Sequence, residues 1–188
     1  MRLLFLSDIH SNLEALDACL ASAPAHDAVI NLGDIVGYGA SPNEVTERAR
    51  SLGRIFVRGN HDKAVTGLTD LRDFNPVAGL AALWTRDQLT PENFQWLQAL
   101  PQGPVQVPGA AGIQVVHGSP LDEDEYVVNT EEAVGPLQRA DVPATFFGHT
   151  HLQGGFYVTA GGSESSHPQY RNAAEADSWE FPLRDGVR

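Results

Sequence analysis

An α/β layered fold is what this sequence predicts, and three observations carry the expectation. Short apolar runs at 2–7, 28–32 and 54–57 alternate with stretches of helical periodicity. The helical stretches open on capping signals. The residues able to do chemistry gather in the turns after the apolar runs, where open α/β sheets place their ligands.

Residues 2–7 (RLLFLS) read as the first strand, apolar and bounded by polar residues. A helix is expected from about Leu13 to Ala21, with Ser11 and Glu14 spaced as a capping box and Leu13, Leu16 and Leu20 on one face. The run 28–32 is the second strand and ends in GDIVGYG. Ser41-Pro42-x-Glu44 then supplies a cap, a proline at the first helical position and an early acid. The third strand, 54–57, leads into RGNHD. Asn75-Pro76 and Thr90-Pro91 predict two helices over 76–100, with Trp84, Phe94, Trp96 and Leu97 as core. Strands near 104–107 and 113–117, a helix near 131–140 and a strand at 144–147 complete the ordered pattern. Residues 160–178 are small and polar and read as a loop. No repeat or linker divides the chain, so 1–188 is expected to be one domain.

With 42% hydrophobic residues, 188 residues can bury an ordinary core. No run approaches the roughly 20 apolar residues of a membrane helix, and the opening lacks a signal-peptide cleavage pattern. A single cysteine, Cys19, excludes an internal disulfide and reads as a packing residue, and a cytoplasmic setting is expected. Twenty-four acids against twelve bases, a formal charge of −12, argue against broad nucleic-acid binding. Bound cations can still invert the field at one site, so a small phosphorylated substrate is compatible.

The chemistry concentrates at five strand ends. Asp8 and His10 follow the first strand, Asp34 the second, and Asn60-His61-Asp62 the third; His117 follows a later strand, and His149 and His151 the next. Five of the seven histidines lie in these turns. Carboxylate, imidazole and amide oxygen together suit manganese, iron or zinc better than magnesium or calcium. Seven donors exceed what one tetrahedral ion needs, and two ions sharing a carboxylate would use them. On an extended chain, His149 and His151 would point to one side. The acidic run SPLDEDEY (119–126) reads as a solvated loop. Arg58 and Tyr38 are each as compatible with a structural place as with contact to a substrate.

In order, SDIH, LGDIVGYG, RGNHD, VVHGSP and FGHTH resemble the motifs of the calcineurin-like metallophosphoesterase superfamily, closest to its small bacterial and archaeal phosphodiesterase-type members, over residues 1 to about 158. The resemblance implies a four-layer α-β-β-α sandwich with a dimetal site at the strand ends. It implies that Asp8, His10 and His151 bind one ion, that Asn60, His117 and His149 bind the other, and that Asp34 bridges them. It further implies a metal-bridged hydroxide attacking phosphorus in line, with His61 stabilising the transition state or protonating the leaving oxygen. A ligand-complete, non-catalytic protein-interaction scaffold of the same fold is the alternative. Many relatives carry an aspartate three residues after the bridging one, where it orients the catalytic histidine; here that position is Gly37. Members of this type also continue beyond GHTH through further strands. An ending near FPLRDGVR therefore implies missing final strands, and with them an exposed sheet edge open to homo-oligomer formation.

Overall fold

The computed structural model describes residues 1–159 and 162–166. Strands β1 (Leu3–Leu6), β2 (Ala28–Asn31) and β3 (Gly53–Phe56) form a parallel sheet in the order β1-β2-β3. Helices α1 (Leu13–Ser22) and α2 (Pro42–Leu52) are its crossovers. After β3 come α3 (Asn60–Thr66), α4 (Pro76–Gln88) and α5 (Pro91–Gln98). A second sheet holds β4 (Val105–Gln106) antiparallel to β5 (Ile113–Val115), with β6 (Ala144–Phe146) parallel to β5. Helix α6 (Thr130–Arg139) connects β5 to β6, and β7 (Gly155–Thr159) pairs with β8 (Gly162–Ser166) in a hairpin.

Period-2 alternation in the first sheet produces two cores. Leu3, Phe5, Ile30, Leu32, Ile55 and Val57 face the second sheet and pack with Val107, Ile113 and Val115. Leu6 and Phe56 point the other way, toward Leu16, Val45, Val65, Ala82 and Leu97 of the helices. Burial on both faces explains why these strands read as unbroken apolar runs; each large side chain so buried contributes about 1.5–3 kcal/mol. The Phe5 and Phe146 rings stack with centroids 4.1 Å apart, tying β1 to β6 across the interface. Because this inter-sheet core fills the inner face of the second sheet, the β5-α6-β6 crossover places α6 outside, where it contacts the hairpin. Helices, parallel sheet, mixed sheet and outer helix make the α-β-β-α order that the resemblance implies.

Several local expectations change. The cap of α1 is Asn12, whose Oδ1 accepts from Ala15 N at 3.0 Å. Ser11 is instead buried on left-handed backbone (φ 56°), its N–H donating to Ile35 O. Trp84 is 43% exposed, because α4 buries Ala78, Ala82 and Thr85 instead; Leu97 does join the core. Cys19 lies on the outer face of α1 and is exposed, not packed. Asn60-His61-Asp62 is the first turn of α3. Within the stretch expected as a loop, Gly162–Ser166 is strand β8; residues 160, 161 and 167–178 lie outside the described residues, as does the chain's ending.

Candidate metal centre

The loops after β1 and β2 are zipped together beyond the sheet: Asp8 N donates to Gly33 O, His10 N to Asp34 O and Ser11 N to Ile35 O, at 3.0–3.1 Å. That pairing requires left-handed backbone at Asp8 (φ 53°), His10 (49°) and Asp34 (52°). His149 (67°) and His151 (54°) adopt it as well. Each such non-glycine residue costs on the order of 1 kcal/mol, and clusters of them mark functional sites. The left-handed turn also undoes the alternation expected of His149 and His151 and sends them apart.

Seven side chains meet there. Asp8, His10 and His151 form one group of converging donors, and Asp34, His117 and His149 form a second. His10 Nε2 is 3.1 Å from His151 Nε2, and His151 Nε2 is 3.4 Å from Asp8 Oδ1. His117 Nε2 is 3.1 Å from Asn60 Oδ1. Asp34 sits between the groups: its Oδ2 is 3.6 Å from His10 Nε2 and 3.4 Å from His117 Nε2, while Oδ1 accepts the His61 backbone N–H at 2.8 Å. His61 also lies with His10 and Asp34 in a third converging set. The structure thus brings together all eight residues to which the resemblance gives a role.

The hydrogen bonds at the far sides of the rings fix which nitrogens face inward. His10 Nδ1 donates to Val36 O (3.2 Å) and His117 Nδ1 to Leu32 O (2.8 Å). When neutral, rings so held present bare Nε2 lone pairs to carboxylate, amide oxygen and imidazole. Acceptors facing acceptors need a cation between them, so the donor set fits metal ions. His149 is reversed: its Nε2 donates to Asp124 O at 3.1 Å, leaving Nδ1 for the centre.

The electrostatics favour a positive charge at the same place, beside the Asp34 carboxylate, whether a proton on His117 or an ion. Burial favours a neutral Asp34, which is only 1% exposed, but the adjoining His117, then His61 and His10, hold its carboxyl well below the usual range. Burial would lower His117; the Asp34 carboxylate overrides it and pushes the imidazole up to about 9. His61 falls to about 4, through burial and repulsion from His10, His117 and His149, against the pull of Asp34. Burial, joined by the Asp34 charge, pushes Asp62 up to about 7.

The profile of the calcineurin-like phosphoesterase family matches residues 1–153, most of the chain and every residue of this centre. The chain belongs to that family. It is 40% identical to a metallophosphoesterase from Sphaerobacter thermophilus of known structure, with a TM-score of 0.74, over 90% of this chain and 69% of that one. A hypothetical protein from Pyrococcus horikoshii shares the fold at 18% identity, with a TM-score of 0.66 over 86% and 74% of the two chains. An uncharacterised protein of Methanocaldococcus jannaschii is 47% identical over 98 residues, 51% of this chain but only 40% of that relative's length. No helix among the described residues is long and apolar enough to cross a membrane.

In this family member the catalytic candidate His61 has no carboxylate behind it. Asp62 is occupied elsewhere, its oxygens accepting from Ile35 N, Val36 N and Gly59 N at 2.9–3.1 Å. His61 Nδ1 is buried without a hydrogen-bond partner among the described residues, next to Gly37. A Cβ at Gly37 would stand 2.7 Å from it, so the glycine leaves the ring room but offers no acceptor. The ring is held by Tyr38, His10 and Phe74, at centroid distances of 4.5, 4.8 and 5.4 Å.

The loop 119–126 is only in part the solvated acidic run expected: Asp122 and Asp124 are exposed, but Glu123 is not. Glu123 is only 8% exposed and forms a two-point pair with Arg58 (2.9 and 2.8 Å); Lys63 of α3 reaches Glu123 at 3.0 Å and Asp124 at 2.5 Å. Arg58 thus has a structural place, paired with Glu123. Ser119 hydrogen-bonds Glu125, and Tyr126 stacks on His149 at 3.8 Å. The Arg58–Glu123 and Lys63–Asp124 pairs join residues 65 and 61 positions apart, and only the acids' proximity to His117 in sequence hinted at them.

Proposed function

We propose that the chain is a phosphoester hydrolase working at a pair of divalent ions, with manganese first and iron or zinc as alternatives. Asp8, His10 and His151 would hold one ion, and Asn60, His117 and His149 the other. The observation that carries the reading is Asp34 Oδ2 placed between two inward-facing Nε2 atoms while Oδ1 is tied to the His61 N–H. Ions bound there would supply Lewis acidity to phosphoryl oxygens and lower the pKa of water. The chain's own residues do the rest: the carbonyls of Val36 and Leu32 hold the Nδ1–H of His10 and His117 so that Nε2 faces inward, and Asp34 is kept ionised at neutral pH. With no acceptor for a proton on Nδ1, neutral His61 carries it on Nε2, able to donate to a phosphoryl or leaving oxygen. The substrate is a phosphodiester or small phosphorylated metabolite of nucleotide-like size, and the setting cytoplasmic.

Manganese-supported hydrolysis of bis-p-nitrophenyl phosphate beside p-nitrophenyl phosphate tests the reading. Faster diester cleavage, absent in Asp34→Asn, is expected. Protein holding two ions per chain that cleaves neither ester would replace it with the metal-binding scaffold.

Gly59 offers a second check. A Cβ there would lie 2.3 Å from Asp34 N and 2.6 Å from its Cγ, so Gly59→Ala must displace Asp34, backbone and shared carboxylate together. Manganese affinity, read by calorimetry, should fall at least ~10-fold with far-UV circular dichroism retained. Unchanged affinity would remove Asp34 from the ligand set.

A further inference from the structure

The exposed large hydrophobic side chains fall mainly into two places. Leu68, Val77, Leu80, Leu83 and Trp84 lie on and near α4, and nothing there indicates what would cover them. Tyr38, Leu121, Tyr126, Val128 and Leu152 lie on the loops that carry the candidate ligands. An apolar rim around a charged centre is the notable arrangement, since an acidic or phosphate-only ligand would have no use for it.

Two of the rim residues touch the centre itself. Tyr126 stacks on His149 (3.8 Å between centroids, 28° between planes) and is still 56% exposed, so its outer face is open. Tyr38 contacts His10 (5.0 Å) and His61 (4.5 Å) and is 46% exposed. Each ring therefore borders a different ligand group. Tyr38 also sits at φ 60°, a conformation unfavourable for a bulky side chain and cheaper for glycine or asparagine. A tyrosine kept on strained backbone, ring outward beside the reacting centre, points to a role for the ring. Both rings are about half exposed, so closing over the centre is not that role. An open ring face can instead be stacked upon.

Resting on the phosphodiesterase reading above, we propose that Tyr126 and Tyr38 are two stacking faces flanking the metal pair, and that they select phosphodiesters bearing a flat aromatic ester arm, aryl or nucleobase. The phosphate occupies the centre and the non-leaving arm lies against a phenol ring.

Three diesters of equal charge and the same p-nitrophenolate leaving group test this: methyl p-nitrophenyl phosphate, bis-p-nitrophenyl phosphate and thymidine 5′-(p-nitrophenyl phosphate). Stacking on an aromatic side chain supports a preference of about tenfold in kcat/KM for the aromatic arms, expressed in KM. Tyr126→Leu should erase it while keeping apolar cover over His149, and Tyr126→Phe should retain it. Tyr38→Leu is the second variant should the first fail to fold. Loss for both aromatic substrates assigns general stacking; loss for thymidine alone assigns a nucleobase. A ratio unchanged in both leucine variants, or an equal fall for the methyl ester, overturns the proposal in favour of a structural role through the ligands. If the wild-type protein cleaves none of the three, the hydrolase reading fails. Calorimetric binding of thymidine 5′-monophosphate against methyl phosphate then decides the stacking: about tenfold tighter in wild type but not in Tyr126→Leu supports it, and equal affinities overturn it.

Discussion

Asp34→Asn should abolish manganese-supported hydrolysis, by at least ~10³-fold, whereas His61→Ala should lose about 10²-fold, the low end for a general acid. The difference follows from what each side chain holds. Asp34 is the negative charge common to both donor groups, with Oδ2 within 3.6 Å of two imidazole nitrogens and Oδ1 on the first turn of α3. An amide keeps the shape and loses the charge, so both groups lose their shared anion at once. His61 has no carboxylate to raise its basicity; its Nδ1 is unpartnered, and burial with the surrounding imidazoles depresses it to about 4. A ring so depressed is neutral at pH 7, and in the proposed role it would act only as a hydrogen-bond donor, a weaker contribution than an imidazolium would make. Metal content by mass spectrometry, measured with the rates, separates the causes: His61→Ala should retain its manganese and Asp34→Asn should not. Equal losses at matched occupancy would show that His61 does more than its surroundings allow.

Much of the centre was legible because the residues obey two strong local rules. Strands buried on both faces read as apolar runs, as at Val29, Ile30 and Leu32, and ligands in such sheets follow the strand ends. Asp8, Asp34, Asn60, His117 and His149 are all placed by those rules. What was illegible depends on backbone conformation and on pairing at long range. Ser11 has the spacing of a cap but is drawn into the β1–β2 loop pair, so Asn12 caps α1. His149 and His151 alternate in sequence but not in space, since alternation holds only on extended backbone and both residues are left-handed. Trp84 belongs to an apolar-looking helix whose buried face is made of small residues, a fact set by how closely α3 and α4 approach. Composition marked 119–126 as a solvated loop because nothing local says that Arg58 and Lys63 will face Glu123.

That strap is where the second large effect is expected, on stability. Glu123→Gln should lower the thermal midpoint by about 5–10 °C at neutral pH, equivalent to roughly 2–4 kcal/mol for a chain of this size. Glu123 is buried and neutralises Arg58 and Lys63 together; a neutral amide leaves a mostly buried ammonium with only the half-exposed Asp124 as counter-charge. The sign with pH follows from the same contacts. Burial acts to raise the Glu123 pKa, but the hydrogen bonds from Arg58 and Lys63 outweigh it and hold the carboxyl below its ordinary value. A group depressed in the folded state stabilises fully above its unfolded pKa, about 4.3 for glutamate, and loses that contribution as pH falls through the folded value. The wild-type and Glu123→Gln midpoints should therefore stand apart from pH 8 down to about 5 and converge below 4. Differential scanning fluorimetry across that range measures both curves. A constant gap would place the loss in packing instead of charge, and no gap at pH 7 would return the acidic loop to the solvated face that composition suggests. Because the strap carries the Asp124 carbonyl bonded to His149 Nε2, the same variant should also weaken metal binding at that histidine's group more than at the group of His10, linking the loop's charge to the order of the centre.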